Sequence, residues 1–230
     1  MRNRTLLKLL DDYRSECRLS TNPAHNAQQR DTQVRLLQRM QEWLYDDFAW
    51  PHLRIERVVP AGSGQRYYNV PSDMNLERIL HLEVRTQQRW LPIEAGIGPR
   101  EYAAIDSDSG YTGSPISRWR IWEDDRIEVW PVPDLTSTDL EGSIKFVGIR
   151  NLRKFVDDAD VCDLDDRLIV LYAAAETLGA SGAKDAKLKL DQAQKRYETM
   201  KSDLTPRRTI KLFTGHRPRI PLRGLPLPRG

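Results

Sequence analysis

"LIVLYAAAETLGASGAKDAKLKLDQAQKRYETMKSDL" (residues 168–204) reads as two helices joined by a reversal. Asp163 stands where an N-cap would open the first of them. Asp165 and Asp166 fall in its first turn, where the helix dipole favours negative charge. Gly182 permits the sharp turn that follows. In the second helix, Ala186, Leu190, Ala193, Tyr197, Met200 and Leu204 recur at spacings of 4-3-4-3-4, a packing stripe bounded by Lys and Asp. A helical pair of this kind needs partners to cover its apolar faces, and the other end of the chain supplies them.

Over residues 5–18, Leu6, Leu9, Leu10, Tyr13 and Cys17 lie at helical spacing, with Thr5 as a possible N-cap. "STNPAHN" (20–26) breaks that helix. A second runs from about Asp31 to Phe48, with Val34, Leu37, Met40, Leu44 and Phe48 on one face. It stops at "AWPHL" (49–53), because proline disfavours helix at Trp50 and cannot donate its own N–H. The period then changes. "RVVPAGSGQRYYNVPSD" (57–73) places a Gly/Ser turn between short β-prone runs, and "RILHLEV" (78–84) and "RWLPI" (89–93) are strand candidates. "RWRIWEDDRIEVWPVPD" (118–134) reads as a hairpin turning at Glu123–Asp125. That register puts Trp119, Ile121, Ile127 and Val129 on one face, and Arg118, Arg120, Arg126 and Glu128 on the other. "GSIKFVGIRN" (142–151) supplies a further strand. The fold class is α+β: a four-helix core of two N-terminal and two C-terminal helices, a mainly β insertion and an extended C-terminal arm. The domains expected are 1–51 with 153–204 (helical), 52–152 (β-rich insertion) and 205–230 (basic, proline-rich arm).

At 230 residues, 39% hydrophobic and 30% charged, the chain can bury a substantial core beneath a polar surface. No window carries 18 apolar residues, which excludes a spanning helix, and no membrane partner is expected. The N-terminus lacks the apolar region and cleavage site of a secretory signal. Cys17 and Cys162 stand apart and read as buried thiols. His25, His52, His81 and His216 have no ligand-spaced partners, so neither metal nor cofactor is expected. "DSDSGYTGSP" (106–115) spaces Asp106, Asp108 and Gly110 like part of a calcium loop, but lacks its distal ligands and reads as a polar turn. The acidic run from Asp157 to Asp166 reads as a loop leading into a charged helix N-terminus rather than a paired-carboxylate site. No nucleophile elbow or phosphate loop is present, and the chain does not read as an enzyme. Trp90, Trp119, Trp122 and Trp130 lie among arginines. They fit either a core capped by stacked guanidinium groups or a stacking platform for nucleic acid, with the core reading favoured. Trp43, Tyr45 and Trp50 are expected where the helices meet the β insertion.

Charge is segregated. Met1 to Asp203 carries 29 basic and 33 acidic side chains, whereas Leu204 to Gly230 carries seven basic residues, five prolines and no acid. Proline pre-sets an extended chain and removes donors, so at about 3.1 Å per residue these 27 residues reach roughly 80 Å. Ile210, Leu212, Phe213, Ile220, Leu222, Leu225 and Leu227 recur as apolar anchors, which a pure spacer does not need. Arg207, Arg208, Lys211, Arg217, Arg219, Arg223 and Arg229 would pair with an acidic surface. "TIKLF" (209–213) is the one proline-free β-prone stretch and could add a strand to a partner's sheet edge. The segment reads as a docking arm; phosphate binding to DNA is the rival reading.

Several segments together resemble one family. "DDFAWPHL" (46–53) resembles the signature that ends the second helix of phage head-to-tail adaptor (head completion) proteins. "YYNVPSDMNLERILHLEV" (67–84), "RIEVWPVPD" (126–134) and the helical pair at 168–204 are similar to successive elements of that family. The resemblance spans about residues 30–204. It implies a non-enzymatic virion protein at the neck between portal and tail, assembled in the host cytoplasm. It also implies a ring, twelve copies in such families, that extends the channel through which double-stranded DNA passes without sequence-specific contact. The partners implied are the portal ring, a tail or nozzle component and further copies of the chain, with the arm gripping the portal. On this reading residues 183–204 lie near the portal, and the β insertion, with Tyr111, Trp122 and its Arg/Glu face, reaches the neighbour or the next component. The alternatives are a DNA-binding protein using the basic tail and Arg/Trp sheet, and an enzyme whose site forms only in the fold or ring.

Overall fold

The computed structural model describes residues 2–104, 110–134 and 141–205. All fourteen arm residues named above, Arg207 to Arg229, lie outside the described residues, as do Asp106 and Asp108. The chain is α+β, with five helices and a seven-stranded sheet among the described residues.

Helix α1 (Leu6–Glu16) buries Leu6, Leu9, Leu10 and Tyr13. Thr5 sits at its N-cap but makes no side-chain capping bond; it pairs instead with Val161. The first N–H groups of a helix need acceptors outside it. Here Leu6 N donates to Asp160 O (2.7 Å) and Leu7 N to Asp158 O (3.2 Å). After a 3-10 turn over Pro23–Gln29, α2 (Arg30–Asp47) buries Leu37 and Leu44, with Val34, Met40 and Phe48 half-covered beside them.

A second short 3-10 turn, Pro51–Leu53, leads into β1 (Arg54–Val59), β2 (Tyr67–Asn69), β3 (Met74–Thr86) and β4 (Arg89–Ala95). Short helix α3 (Pro99–Ala104) follows, then β5 (Arg118–Trp122), β6 (Arg126–Trp130) and β7 (Ile144–Arg150). The sheet order is β1-β7-β3-β4-β5-β6-β2, antiparallel throughout except at β4–β5. The Gly/Ser turn between the first two β runs therefore joins no hairpin, because β1 and β2 take opposite edges. The β5–β6 hairpin turns where expected, with Trp119 opposite Val129 and Ile121 opposite Ile127. Ile121 is nonetheless half-exposed, being near the hairpin's end. A two-residue type I′ turn, one of those that match strand twist, needs φ > 0 at both turn positions, and Gln87 (φ 52°) and Gln88 (φ 62°) adopt it between β3 and β4.

Helix α4 (Asp166–Ala180) buries every residue from Leu168 to Ala175, as a helix apolar on all sides must. It packs against α1, α2 and α5 (Ala186–Leu204). Between α4 and α5, Gly182 takes φ 70°, and Ala183 N reaches back to Leu178 O, a left-handed C-terminal stop that glycine adopts without Cβ strain. The α5 stripe holds from Ala193 through Tyr197, Met200 and Leu204; Leu190 instead faces solvent.

Two apolar clusters result. One gathers α1, α2, α4 and α5 with Trp50, Leu53, Ile149 and Phe155. The other lies within the sheet, which curls so that Tyr68, Leu82, Ile93, Trp119, Ile127, Val129, Ile144 and Phe146 share one interior.

Candidate assembly surfaces

The acidic run that precedes α4 forms ties between elements. Asp158 pairs with Arg30 at the start of α2. The Asp160 carboxylate accepts from the N–H groups of Val156 (2.6 Å) and Asp157 (2.7 Å), closing a tight turn. Asp163 is fully buried as a side chain and receives Arg150 (2.5 and 3.0 Å) and Arg153 (Nε 2.7 Å, backbone N 2.9 Å). Its backbone N–H donates to Gln41 Oε1 (3.1 Å), and His52 Nε2 lies 2.8 Å from its carbonyl. Asp165 is clasped by Arg196 through two bonds (2.8 and 2.7 Å), and Asp166 by Arg4 (2.8 Å).

This corrects the capping assignment. Asp165, not Asp163, caps α4, accepting from Leu168 N at 2.9 Å. Asp163 is drawn inward by two guanidinium groups that no local pattern announces. Burial pushes the Asp163 carboxyl up, but the hydrogen bonds from Arg150 and Arg153 outweigh it and hold the group below the ordinary carboxylate range. The same balance, with Arg196 in that role, lowers Asp165.

A second network covers one outer face of the sheet. Glu128 on β6 has a side chain with no solvent exposure. Arg66 Nε and Arg120 Nε each donate to it at 2.6 Å, and the Tyr102 hydroxyl on α3 donates at 2.8 Å. Arg120 stacks over Trp122 at 4.4 Å, and Arg66 lies among Tyr67, Tyr102 and Trp130 at 5.4–5.7 Å. Desolvation opposes ionisation of Glu128, yet the three donors keep its carboxyl below the usual range. The predicted face of Arg118, Arg120, Arg126 and Glu128 is thus real but largely self-satisfied. Arg118 pairs with Glu94, and Arg126 with Asp124.

The tryptophans divide. Trp119 and Trp130 are buried, while Trp122 and Trp90 are half-covered by cations, with Lys145 Nζ 4.5 Å above Trp90. Tyr45 does sit where helices meet strands: its hydroxyl donates to Arg150 O (3.0 Å) and Arg78 covers its ring at 4.5 Å. Trp50 is fully buried and donates to Leu44 O (2.8 Å) just before β1. Trp43 departs from expectation. It lies on the outer side of the helices, half-exposed, edge-on to Tyr172 at 5.0 Å. Cys17 and Cys162 are buried free thiols, raised by burial. Among the described residues no cluster of His, Cys, Asp and Glu is placed to hold a metal, and no helix is long and apolar enough to cross a membrane.

Arg167 and Arg196 line two open clefts. One, of about 580 Å³, lies between α4 and α5 over Leu171 and Met200; the other, of about 400 Å³, faces α1. The acidic run is a loop leading into a charged helix N-terminus, as expected; its ion pairs to distant arginines and the α4–α5 cleft are the features that sequence reasoning missed. Both depend on charges brought together from distant segments. The only sequence signal was the density of Asp beside isolated Arg150, Arg153 and Arg196.

Comparison with curated proteins finds no match. The family model described as "SU10 adaptor protein" matches residues 4–218, which takes in every described element and the first part of the arm. The chain belongs to the SU10 adaptor protein family, a family of phage head-to-tail adaptors.

Proposed function

We propose that the protein is a virion structural adaptor that joins the portal ring to the tail of a double-stranded DNA phage and acts by shape and assembly rather than by catalysis. On this reading it forms a ring, twelve copies in the arrangement favoured here, at the neck of the particle. DNA passes through its channel without sequence-specific contact, and a tail or nozzle component binds below. The helical unit (1–51 with 153–204) and the β unit (52–152) serve as separate platforms; the two distinct apolar clusters support that division. The arm (205–230) docks on the portal through Ile210, Leu212, Phe213, Ile220, Leu222, Leu225 and Leu227. Arg207, Arg208, Lys211, Arg217, Arg219, Arg223 and Arg229 supply its charge.

The observation that carries the reading is the family match across nearly the whole chain. Against the DNA-binding alternative stands the Glu128 network: Arg66 and Arg120 are already committed to a buried carboxylate and have little to offer a phosphate. The test is co-sedimentation with purified portal rings at low and moderate salt, using the intact chain and one ending at Thr205. That cut leaves Leu204 in place on the helical core. Portal binding by the intact chain at both salts, lost on truncation, is the expected result. Duplex binding at low salt alone, with none to the portal, would replace adaptor docking by a phosphate clamp.

A further inference from the structure

The loop before α4 carries a small rigid knob. Val156 is 71% exposed, the highest value among the exposed large hydrophobic side chains of the described residues. Asp157 beside it is exposed, and its carboxylate has no partner among the described residues. The turn beneath them does not yield easily. The Asp160 carboxylate holds both their N–H groups, Asp160 N donates to Asp157 O (2.9 Å), Arg30 ties down Asp158, and α1 caps onto the Asp158 and Asp160 carbonyls. An apolar side chain fixed in water next to a bare carboxylate loses little entropy on being covered.

The cleft between α4 and α5 has the opposite chemistry. Leu171 and Met200 give it an apolar floor, and Arg167, Gln192 and Lys195 stand around it. Among the described residues the guanidinium of Arg167, the amide of Gln192 and the ammonium of Lys195 have no partner. Arg196 and Asp165, which form its wall, satisfy each other. The cleft therefore offers uncommitted cations, Arg167 and Lys195 among them and Arg2 at its edge, above an apolar surface, which suits one aliphatic side chain next to one carboxylate.

We propose that Val156 and Asp157 of one copy seat in the α4–α5 cleft of the next, with Val156 against Leu171 and Met200 and the Asp157 carboxylate between Arg167 and Lys195. The inference rests on the ring reading above and names the contact that builds it. Knob and cleft rise from different element pairs, the knob against α1 and α2 and the cleft on α4 and α5. The contact is therefore heterologous, the kind that closes into a ring when the rotation permits. The occupant is a second copy because this chain itself carries the complementary charge and apolar side chain, already held in presenting form.

The test uses full-length chains in sedimentation velocity over a concentration series, with portal binding measured in parallel and folding checked by circular dichroism. Asp157→Lys and Lys195→Asp should each weaken self-association by about tenfold or more, as reversing one partner of a close interfacial pair does. The double variant should recover most of the loss. Val156→Ser should also weaken assembly, without change of fold. Unchanged association in both charge reversals overturns the contact, and so do weakened single variants that the double variant fails to rescue. If Asp157→Lys assembles normally but no longer binds the portal, the knob belongs to the portal interface and the proposal fails while the adaptor reading stands. A wild-type chain that stays monomeric at every concentration, alone and with portal, removes the ring reading itself.

Discussion

Replacing Asp163 with Asn tests whether the charged tie between the segment before α4 and the end of β7 contributes to stability. The side chain is 0% exposed, Arg150 is 26% exposed and Arg153 is 56% exposed. Asn preserves the shape and removes the charge. Hydrogen bonds to ionised groups are worth about 1.5–3 kcal/mol each. The two from Arg150 are shielded and count at the low end of that range; the one from the Arg153 guanidinium faces water and is discounted nearly to zero, and the one from the Arg153 backbone N–H is kept by the amide oxygen of Asn. The expected loss is therefore about 3 kcal/mol, or about 6–12 °C in Tm for a chain of this size. The assay is thermal and urea unfolding followed by tryptophan fluorescence, with Trp50 reporting the helical core and Trp119 and Trp130 the sheet. The pH profile adds an independent check. The carboxyl titrates lower in the folded chain than in the unfolded one, where it sits at about 3.9. Its contribution is present at neutral pH and disappears as pH falls below that value through the folded one. Wild type should thus lose more stability on acidification than Asp163→Asn. A loss below about 1 kcal/mol at pH 7, with parallel pH profiles, would refute the reasoning and reduce the tie to a surface ion pair.

Glu128→Gln should destabilise the sheet by about 2–4 kcal/mol, because it leaves Arg66 and Arg120 without their shared counter-charge. A drop in Tm together with a changed near-UV signal from Trp122 and Trp130 would register it. Gly148→Ala on β7 should cost about 1–3 kcal/mol. A Cβ there would lie 2.9 Å from Met74 Sδ and 3.0 Å from the backbone oxygen of Arg78, and the latter cannot swing away; urea unfolding reads the change.

Local patterns carried the helices well. The α1, α2 and α5 ranges and the β5–β6 turn followed from apolar periodicity and a single proline or aspartate pair. What failed was anything settled by distant charge. Asp163 and Asp165 are two residues apart and equally good caps in isolation; Arg150 and Arg153 decide which is pulled inside. Trp43 lies on α2 near Tyr45, yet Tyr172 and Tyr197 draw its ring to the outer side. Helix α3 is short, and it is held to the sheet by Tyr102 meeting Glu128, a pairing across 26 residues. Strand order is equally non-local, because β1 and β2 are neighbours in sequence and opposite edges in space. The cleft and the knob became visible only once those long-range pairings were fixed.

That sheet order has a kinetic side. Strand β7 lies between β1 and β3, and α4 fills the space between α1, α2 and α5. Neither apolar cluster can close while the chain is short: the sheet waits for residue 150 and the helical core for the α4–α5 pair. Contacts this distant in sequence form late, after loop closure has been met. A ribosome that stalls before β7 therefore releases a chain with β1 and β3 unjoined and α1 uncovered, prone to aggregate. The sheet can therefore close once β7 is made, and the helical core only after α5 follows it.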